Sequence, residues 1–98
     1  MPSFRITIAV GALRAGVSAA SVLPAAAAAA AELTTVEDTD LTLVAGSARL
    51  VVRFSADSTD LARQIGAHVL AVTDSRATPK ASLVTERVQN RWVPVSPA

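Results

Sequence analysis

The sequence predicts an α+β fold in which two helices cover one face of an antiparallel sheet. Apolar residues alternate with polar or small ones over residues 4–10, a period typical of a strand with one buried face. The alanine run at 25–31 and the apolar stripe within 58–75 have the composition and spacing of helices. Two apolar stretches around a glycine at 41–54 have the pattern of a hairpin. Together these features predict one layer of helices and one of strands.

The N-terminal segment has two competing interpretations. Residues 1–31 contain an early arginine and end in small residues, as the leader of an exported protein does. Arg14 and Gly16 interrupt the apolar region that a leader needs, and the alternation over 4–10 has no role in one. We therefore expect a retained strand and a cytoplasmic protein. Export, with residues 1–31 as a leader, is the alternative.

The alanine run predicts a helix packed close to the sheet. Alanine is the best helix former, and Pro24 falls in the first turn, where its missing N–H is tolerated. Ser21 is the expected N-cap. The buried stripe predicted by helical spacing consists of Val22, Ala26, Ala29 and Leu33. A disordered alanine linker is the alternative.

Residues 41–54 predict a β-hairpin. Gly46 and Ser47 stand between its apolar stretches, and glycine at the first central position is what a type II′ turn requires. This turn would place Leu43 opposite Leu50, and we expect a positive φ at Gly46. The same register pairs Leu41 with Val52, Thr39 with Phe54, Val44 with Arg49, Thr42 with Val51, and Asp40 with Arg53.

The C-terminal half predicts a second helix and one or two further strands. The helix is expected over 58–75, with Asp57 or Ser58 as N-cap. Its predicted buried stripe is Leu61, Ile65, Val69 and Val72. Residues 82–95 are rich in valine and threonine, and Gln89-Asn90 is a candidate turn that would place Trp92 opposite Arg87, where the two side chains can stack. The pattern leaves open which face of this pair is buried: Val84, Val88, Val93 and Val95 favour one, Leu83 and Trp92 the other.

The predicted order is strand, helix, strand, strand, helix, strand, with a possible short extra strand. This order resembles the ferredoxin-like plait, a two-layer βαββαβ arrangement with both helices on one face of an antiparallel sheet. The length of 98 residues fits a single α+β domain spanning 1–98. That fold supports many unrelated functions, so it implies none by itself.

Composition excludes several kinds of site. The chain has no cysteine, which removes disulfides, thiolate metal sites and a thiol nucleophile. Its net charge of +1 gives no general attraction to nucleic acid or membranes, and no apolar run approaches the ~20 residues that cross a bilayer. The four glycines form no phosphate-binding motif. We therefore expect no cofactor and no membrane association.

Three features could form sites, but each has an ordinary structural explanation. Arg14 lies between Gly11 and Gly16 before the alanine helix, where an anion could bind, but glycines that ease a loop explain the pattern better. The acidic stretch 37–40 offers oxygen ligands for a hard cation, but a solvated strand start is the simpler interpretation. His68 is expected to be half-buried on the second helix, with no serine placed as its nucleophile. We expect no metal site and no catalytic residue.

The remaining candidate is the sheet face that neither helix covers. Its predicted residues are Arg5, Thr7 and Ala9 from the first strand, Thr42 and Val44 from the second, and Arg49, Val51 and Arg53 from the third.

Three functions compete for this face, and we rank a homodimer first. Its interface would be formed by Val44, Val51, Ala9, Thr7 and Thr42, with another protein partner left open. A nucleic-acid binder using Arg5, Arg49 and Arg53 ranks second, because the central strands present no aromatic side chain outward and the carboxylates of 37–40 lie nearby. A small dimeric enzyme with His68 as its acid-base group ranks third, since that helix lies away from the open face.

Overall fold

In the computed structural model, which describes residues 1–95, five strands and two α-helices form an α+β structure with one open antiparallel sheet. The elements are β1 (Ser3–Leu13), α1 (Val22–Ala31), β2 (Val36–Val44), β3 (Ser47–Ser55), α2 (Thr59–Asp74), β4 (Ala77–Val88) and β5 (Arg91–Pro94), with a 3₁₀ turn at Ala19–Ser21 before α1. The strand order across the sheet is β2-β3-β1-β4-β5, and every pair of neighbours is antiparallel.

The core lies between the two helices and one face of β1, β3 and β4. The alternation expected in the first strand is confirmed: Phe4, Ile6, Ile8 and Val10 are buried, and the residues between them are not. The other buried apolar side chains are Leu50, Val52 and Phe54 from β3, Val22, Ala26, Ala29 and Ala30 from α1, Ala62, Ile65 and Val69 from α2, and Ala56 and Ala77. Both edges of β1 are paired, so this strand is the centre of the fold.

The alanine run forms a helix, as predicted, but it begins and ends differently. Ser21 has helical backbone angles, and its hydroxyl donates to the carbonyl of Ser18, so it does not cap α1. The preceding 3₁₀ turn replaces that cap, because the Ala19 carbonyl accepts the Val22 N–H. Leu33 was expected to be buried and is 53% exposed, since α1 ends at Ala31.

The hairpin exists, but the predicted register is wrong. The two loop residues are Ala45 and Gly46, both with positive φ, as in a type I′ turn, rather than Gly46 and Ser47. The positive φ expected at Gly46 is confirmed.

The observed turn changes the partner of every residue in the hairpin relative to the predicted register. The observed pairs are Val44 with Ser47, Leu43 with Ala48, Thr42 with Arg49, Leu41 with Leu50, Asp40 with Val51, Thr39 with Val52 and Asp38 with Arg53. A shift of two residues on one strand leaves each side chain on its expected face, because side chains alternate with a period of two. Leu41 and Leu43 therefore face the helix side, yet both are exposed because β2 is an edge strand that the short α1 leaves largely uncovered.

The second helix lies where the sequence predicts it, with a different buried face. Ser58 caps it by accepting a hydrogen bond from the Leu61 N–H. Ile65 and Val69 are buried as expected, but Leu61 is exposed and Val72 only partly buried. Their places are taken by Ala62, Gly66 and Thr73.

Close contact with the sheet explains the choice of that helix face. A Cβ on Gly66 would lie 2.8 Å from Val84 Cγ2, so glycine allows the helix backbone to approach β4. The Thr73 hydroxyl donates to the Val69 carbonyl, which permits its burial. Small side chains therefore determine which face of α2 is buried.

The C-terminal pair forms the predicted turn at Gln89-Asn90, with positive φ at both residues, and Arg87 lies opposite Trp92. The structure shows which residues of this pair lie on each face of the sheet. Because Leu83 pairs with Thr7 and Val84 with Ile6, Leu83 and Trp92 lie on the open face and the four valines on the helix side.

The buried alanines of α1 give the first test of this packing. Ala26→Leu should lower the free energy of unfolding by about 1–3 kcal/mol, because no space exists for the larger side chain. Ala28→Lys, on the exposed side of the same helix, should change it by less than about 0.5 kcal/mol. Urea denaturation measures both, and equal tolerance of the two changes would contradict a packed helix.

The turn gives a second test. Ala45→Asn should stabilise the protein by about 0.5–1 kcal/mol, because asparagine tolerates a positive φ better than alanine and Asn-Gly is favoured in type I′ turns. Ala45→Val should destabilise it, since a β-branched side chain is strained at that φ. Thermal unfolding of both variants measures the difference; similar destabilisation by both would exclude a turn centred on residues 45 and 46.

Candidate interaction surface on the open sheet face

The face of the sheet opposite the helices, here called the open face, contains every residue that the sequence analysis assigned to it. Arg5, Thr7 and Ala9 of β1 pair with Arg53, Val51 and Arg49 of β3, and Thr42 lies beside Arg49 on β2. Val44 is at the hairpin end of the same row of alternating residues and is 42% exposed. The face continues onto β4 and β5 through Ala81, Leu83, Thr85, Arg87 and Trp92, none of which the sequence analysis counted in it.

One half of the open face is apolar and made of small side chains. Thr7 lies between Val51 and Leu83, and Ala9 lies between Arg49 and Ala81. Thr7, Ala9, Arg49, Ala81 and Leu83 line a shallow depression of about 230 Å³. Leu83 is 48% exposed at its rim. This half can accept an apolar surface that follows the sheet.

The other half is built around Trp92, the single tryptophan of the chain. The guanidinium carbon of Arg5 lies 4.0 Å from the centre of the indole ring, and that of Arg53 lies 5.4 Å from it. Both distances fit cation–π contact. The expected stacking of Trp92 on Arg87 is not what the structure has, since Arg87 instead donates to the Asn90 side chain. The ring extends across β4 toward β1, over the buried Thr85.

Carboxylates balance the arginines along the β2 side of this half. Glu37 accepts hydrogen bonds from the Arg53 Nε at 2.9 Å and from the Ser3 hydroxyl at 2.8 Å. Asp38 and Asp40 line a small depression of about 120 Å³ together with Arg5 and Arg53. The open face therefore carries both signs of charge at close range, which favours a partner surface that also carries both.

The edge of β2 is blocked by its own side chains. In a two-residue hairpin the residues that flank the loop bond to each other, so alternate residues such as Thr39 and Leu41 point their N–H groups away from β3. The Asp38 carboxylate accepts from the Thr39 N–H and the Asp40 carboxylate from the Leu41 N–H, each at 2.9 Å. Strand pairing with another chain would have to displace these bonds.

The opposite side of the sheet has a second kind of block. The part of β4 that does not pair with β5 contains Pro79, which has no N–H, and Lys80, and its pairing with β1 is irregular. A partner strand therefore meets obstacles at the β2 edge and at the start of β4.

The other candidate sites are occupied by local contacts. His68 is half-buried, as expected, and its Nε2 lies 2.9 Å from Glu32 Oε2 in the helix layer, on the far side of the sheet from the open face. Arg14 forms an ion pair with Asp74 at 2.6 Å and donates from Nε to the Asp74 carbonyl. Among residues 1–95, no group of three or more histidine or acidic side chains is placed to hold a metal ion. No helix within the same residues is long and apolar enough to cross a membrane.

No protein-family model matches this chain, and no curated protein or solved structure shows significant similarity to it. The open face therefore has to be interpreted from its own chemistry.

The blocked edge of β2 gives the third test. Asp40→Ala should release the Leu41 N–H and favour strand-to-strand association of copies at high concentration, while changing the free energy of unfolding by about 1 kcal/mol or less. Asp57→Ala makes the same change of net charge in an exposed position outside the sheet. Light scattering over a concentration series compares the two, and equal behaviour would show that Asp40 does not protect the edge.

Proposed function

We propose that this protein is a small, non-enzymatic interaction module that forms a homodimer through its open face. The observation that carries this proposal is the partly exposed apolar half around Thr7, Ala9, Val51 and Leu83, on a sheet whose β2 edge is blocked. Packing one such face on another is an established way to bury it. A thin core rich in alanine also gains stability from additional burial in a dimer.

Charge supports a second copy as the partner. Arg5, Arg49, Arg53 and Arg87 lie on the same face as Glu37, Asp38 and Asp40. Two copies facing each other could pair acidic with basic side chains around the apolar half, which is the usual arrangement of an interface with a polar rim. A partner of one sign of charge would be repelled by part of this surface.

The proposal includes the ferredoxin-like arrangement of one domain spanning 1–98. In its support, β1 and β2 both pair with β3, and α1 connects them; β3 and β4 both pair with β1, and α2 connects them. Two interleaved split βαβ units describe the plait, with β5 as an addition at the edge. Residues 3–31 form β1 and α1, so removal of residues 1–31 as a leader would remove part of the core. We therefore keep a cytoplasmic location as part of the proposal.

Nucleic-acid binding is the second candidate, and Trp92 is the observation in its favour. The half-buried Trp92 ring lies beside Arg5 and Arg53, and single-stranded nucleic acids bind such combinations by stacking and phosphate contact. Glu37 already pairs with Arg53, and Asp38 and Asp40 would repel phosphates nearby. We therefore place this function below self-association. An enzyme that uses His68 ranks lower again, since that residue faces away from the open face.

The oligomeric state tests the proposal directly. Sedimentation velocity at tens of micromolar should find a dimer for the wild type. Val51→Asp would place a carboxylate within the interface at a cost of several kcal/mol, and dimers should dissociate at least about 100-fold more readily. Ala9→Arg, which adds a positive charge beside Arg49, should have the same effect, so compensation by a neighbouring charge cannot hide the result.

Leu43→Asp is the matched control. Leu43 is 76% exposed on the helix side of the same sheet, so this variant should remain a dimer. A monomeric wild type, or dissociation by all three variants alike, would contradict the proposed interface. A monomer that binds single-stranded RNA in a salt-dependent way, with affinity lost on Arg53→Ala and Trp92→Ala, would favour the second candidate.

A further inference from the structure

A separate groove lies on the helix side of the sheet, between α2 and β4, and we call it the α2–β4 groove. Its volume is about 430 Å³, within the range of small-molecule sites. The walls are apolar and are formed mainly by Ile6, Leu70, Val84 and Val95. It shares Leu83 with the apolar half of the open face but contains none of Thr7, Ala9 and Val51.

The groove exists because β5 is much shorter than β4. β5 pairs only with Thr85–Val88, and the Val95 N–H donates to the Val84 carbonyl at 2.9 Å, which is the last such bond along β4 within the described residues. Among residues 1–95, the part of β4 before Val84 therefore has no outer neighbour. The floor is low because Gly66 and Ala67 present almost no side chain toward it.

Two polar groups lie among the apolar walls. Arg63, one turn before Ala67 on α2, lines the groove and also pairs with Asp60, whose side chain is largely exposed. Ser82 lines it from β4. Arg63 and Leu70 are two turns apart on the same helix, roughly 10 Å. The groove thus has a cationic end and an apolar end.

We propose that the α2–β4 groove binds a small carboxylic acid with an extended apolar body. The chain would lie against Ile6, Leu70 and Val84, and the carboxylate would accept hydrogen bonds from the Arg63 guanidinium, which has five donors and can bond to more than one acceptor. The charge of Arg63 selects an anion, and the walls select an apolar chain. An ammonium or a highly polar molecule fits neither.

Asp60 makes the charge dependence testable in both directions. Its carboxylate competes with the ligand for Arg63, so Asp60→Asn should tighten binding of the acid several-fold. Arg63→Gln should weaken it about tenfold or more, as expected for loss of a charge-assisted hydrogen bond. Neither change should alter binding of an uncharged ligand with the same chain.

Isothermal titration calorimetry with octanoate, 1-octanol and octylamine tests the proposal, and amide chemical shifts locate the bound molecule. Octanoate should bind most tightly and shift the amides of residues 63–70 and 82–84. Ala67→Phe fills the groove from an exposed position and should abolish binding, whereas Gln64→Phe, exposed on α2 but outside the groove, should leave it unchanged. Circular dichroism verifies that both variants are folded.

Several results would overturn the proposal. Equal affinity for the three ligands would show that Arg63 does not select charge, and no saturable binding of octanoate at millimolar concentration would exclude the site. Shifts confined to the open face would place the ligand elsewhere. Dissociation of a wild-type dimer by Ala67→Phe would make the groove an interface between copies. Retention of octanoate binding by Val51→Asp would instead support the proposal, because the site would then not depend on the proposed dimer.

Discussion

The rest of the structure depends on the pairing of β1 along both of its edges. Its apolar residues, including Phe4 and Ile6, are pressed beneath the helices, and β3 and β4 hold the strand on either side. Because successive side chains of a strand point to opposite faces, burial of this set places Arg5, Thr7 and Ala9 on the open face. The same constraint that builds the core therefore creates the surface on which the proposed function rests.

Small side chains decide where this protein is dense and where it has space. The alanines of α1 and Gly66 of α2 allow the helices to approach the sheet and each other closely. Leu41 and Leu43 remain exposed on β2, because α1 is too short to cover them. The α2–β4 groove remains open beyond the end of β5, where Gly66 and Ala67 present small side chains. Packing is therefore tight at the centre and incomplete at both sides of the sheet.

Charged groups on the sheet have two different roles that depend on where they lie. Asp38 and Asp40 accept hydrogen bonds from N–H groups at the β2 edge, which limits pairing with other strands. Arg5 and Arg53 cover Trp92, and Glu37 fixes Arg53, so these side chains form a connected group rather than isolated charges. A blocked β2 edge together with a mixed, partly apolar face favours association through the face.

The sequence by itself determined the local features: the alternation in β1, the alanine helix, a cap of α2 at Asp57 or Ser58, both hairpins and the identity of the face that carries Arg49, Val51 and Arg53. These follow from periodicity and turn chemistry, which act over a few residues. Only the tertiary structure decided the hairpin register, the buried face of α2 and the position of Trp92. The register depends on Ala45, which adopts a positive φ, and the buried face of α2 depends on the fit of Gly66 against Val84. The position of Trp92 depends on Arg5 and Arg53, which are 87 and 39 residues away from it along the chain. Contacts between residues so distant in sequence exist only once the sheet has formed, and no local pattern encodes them.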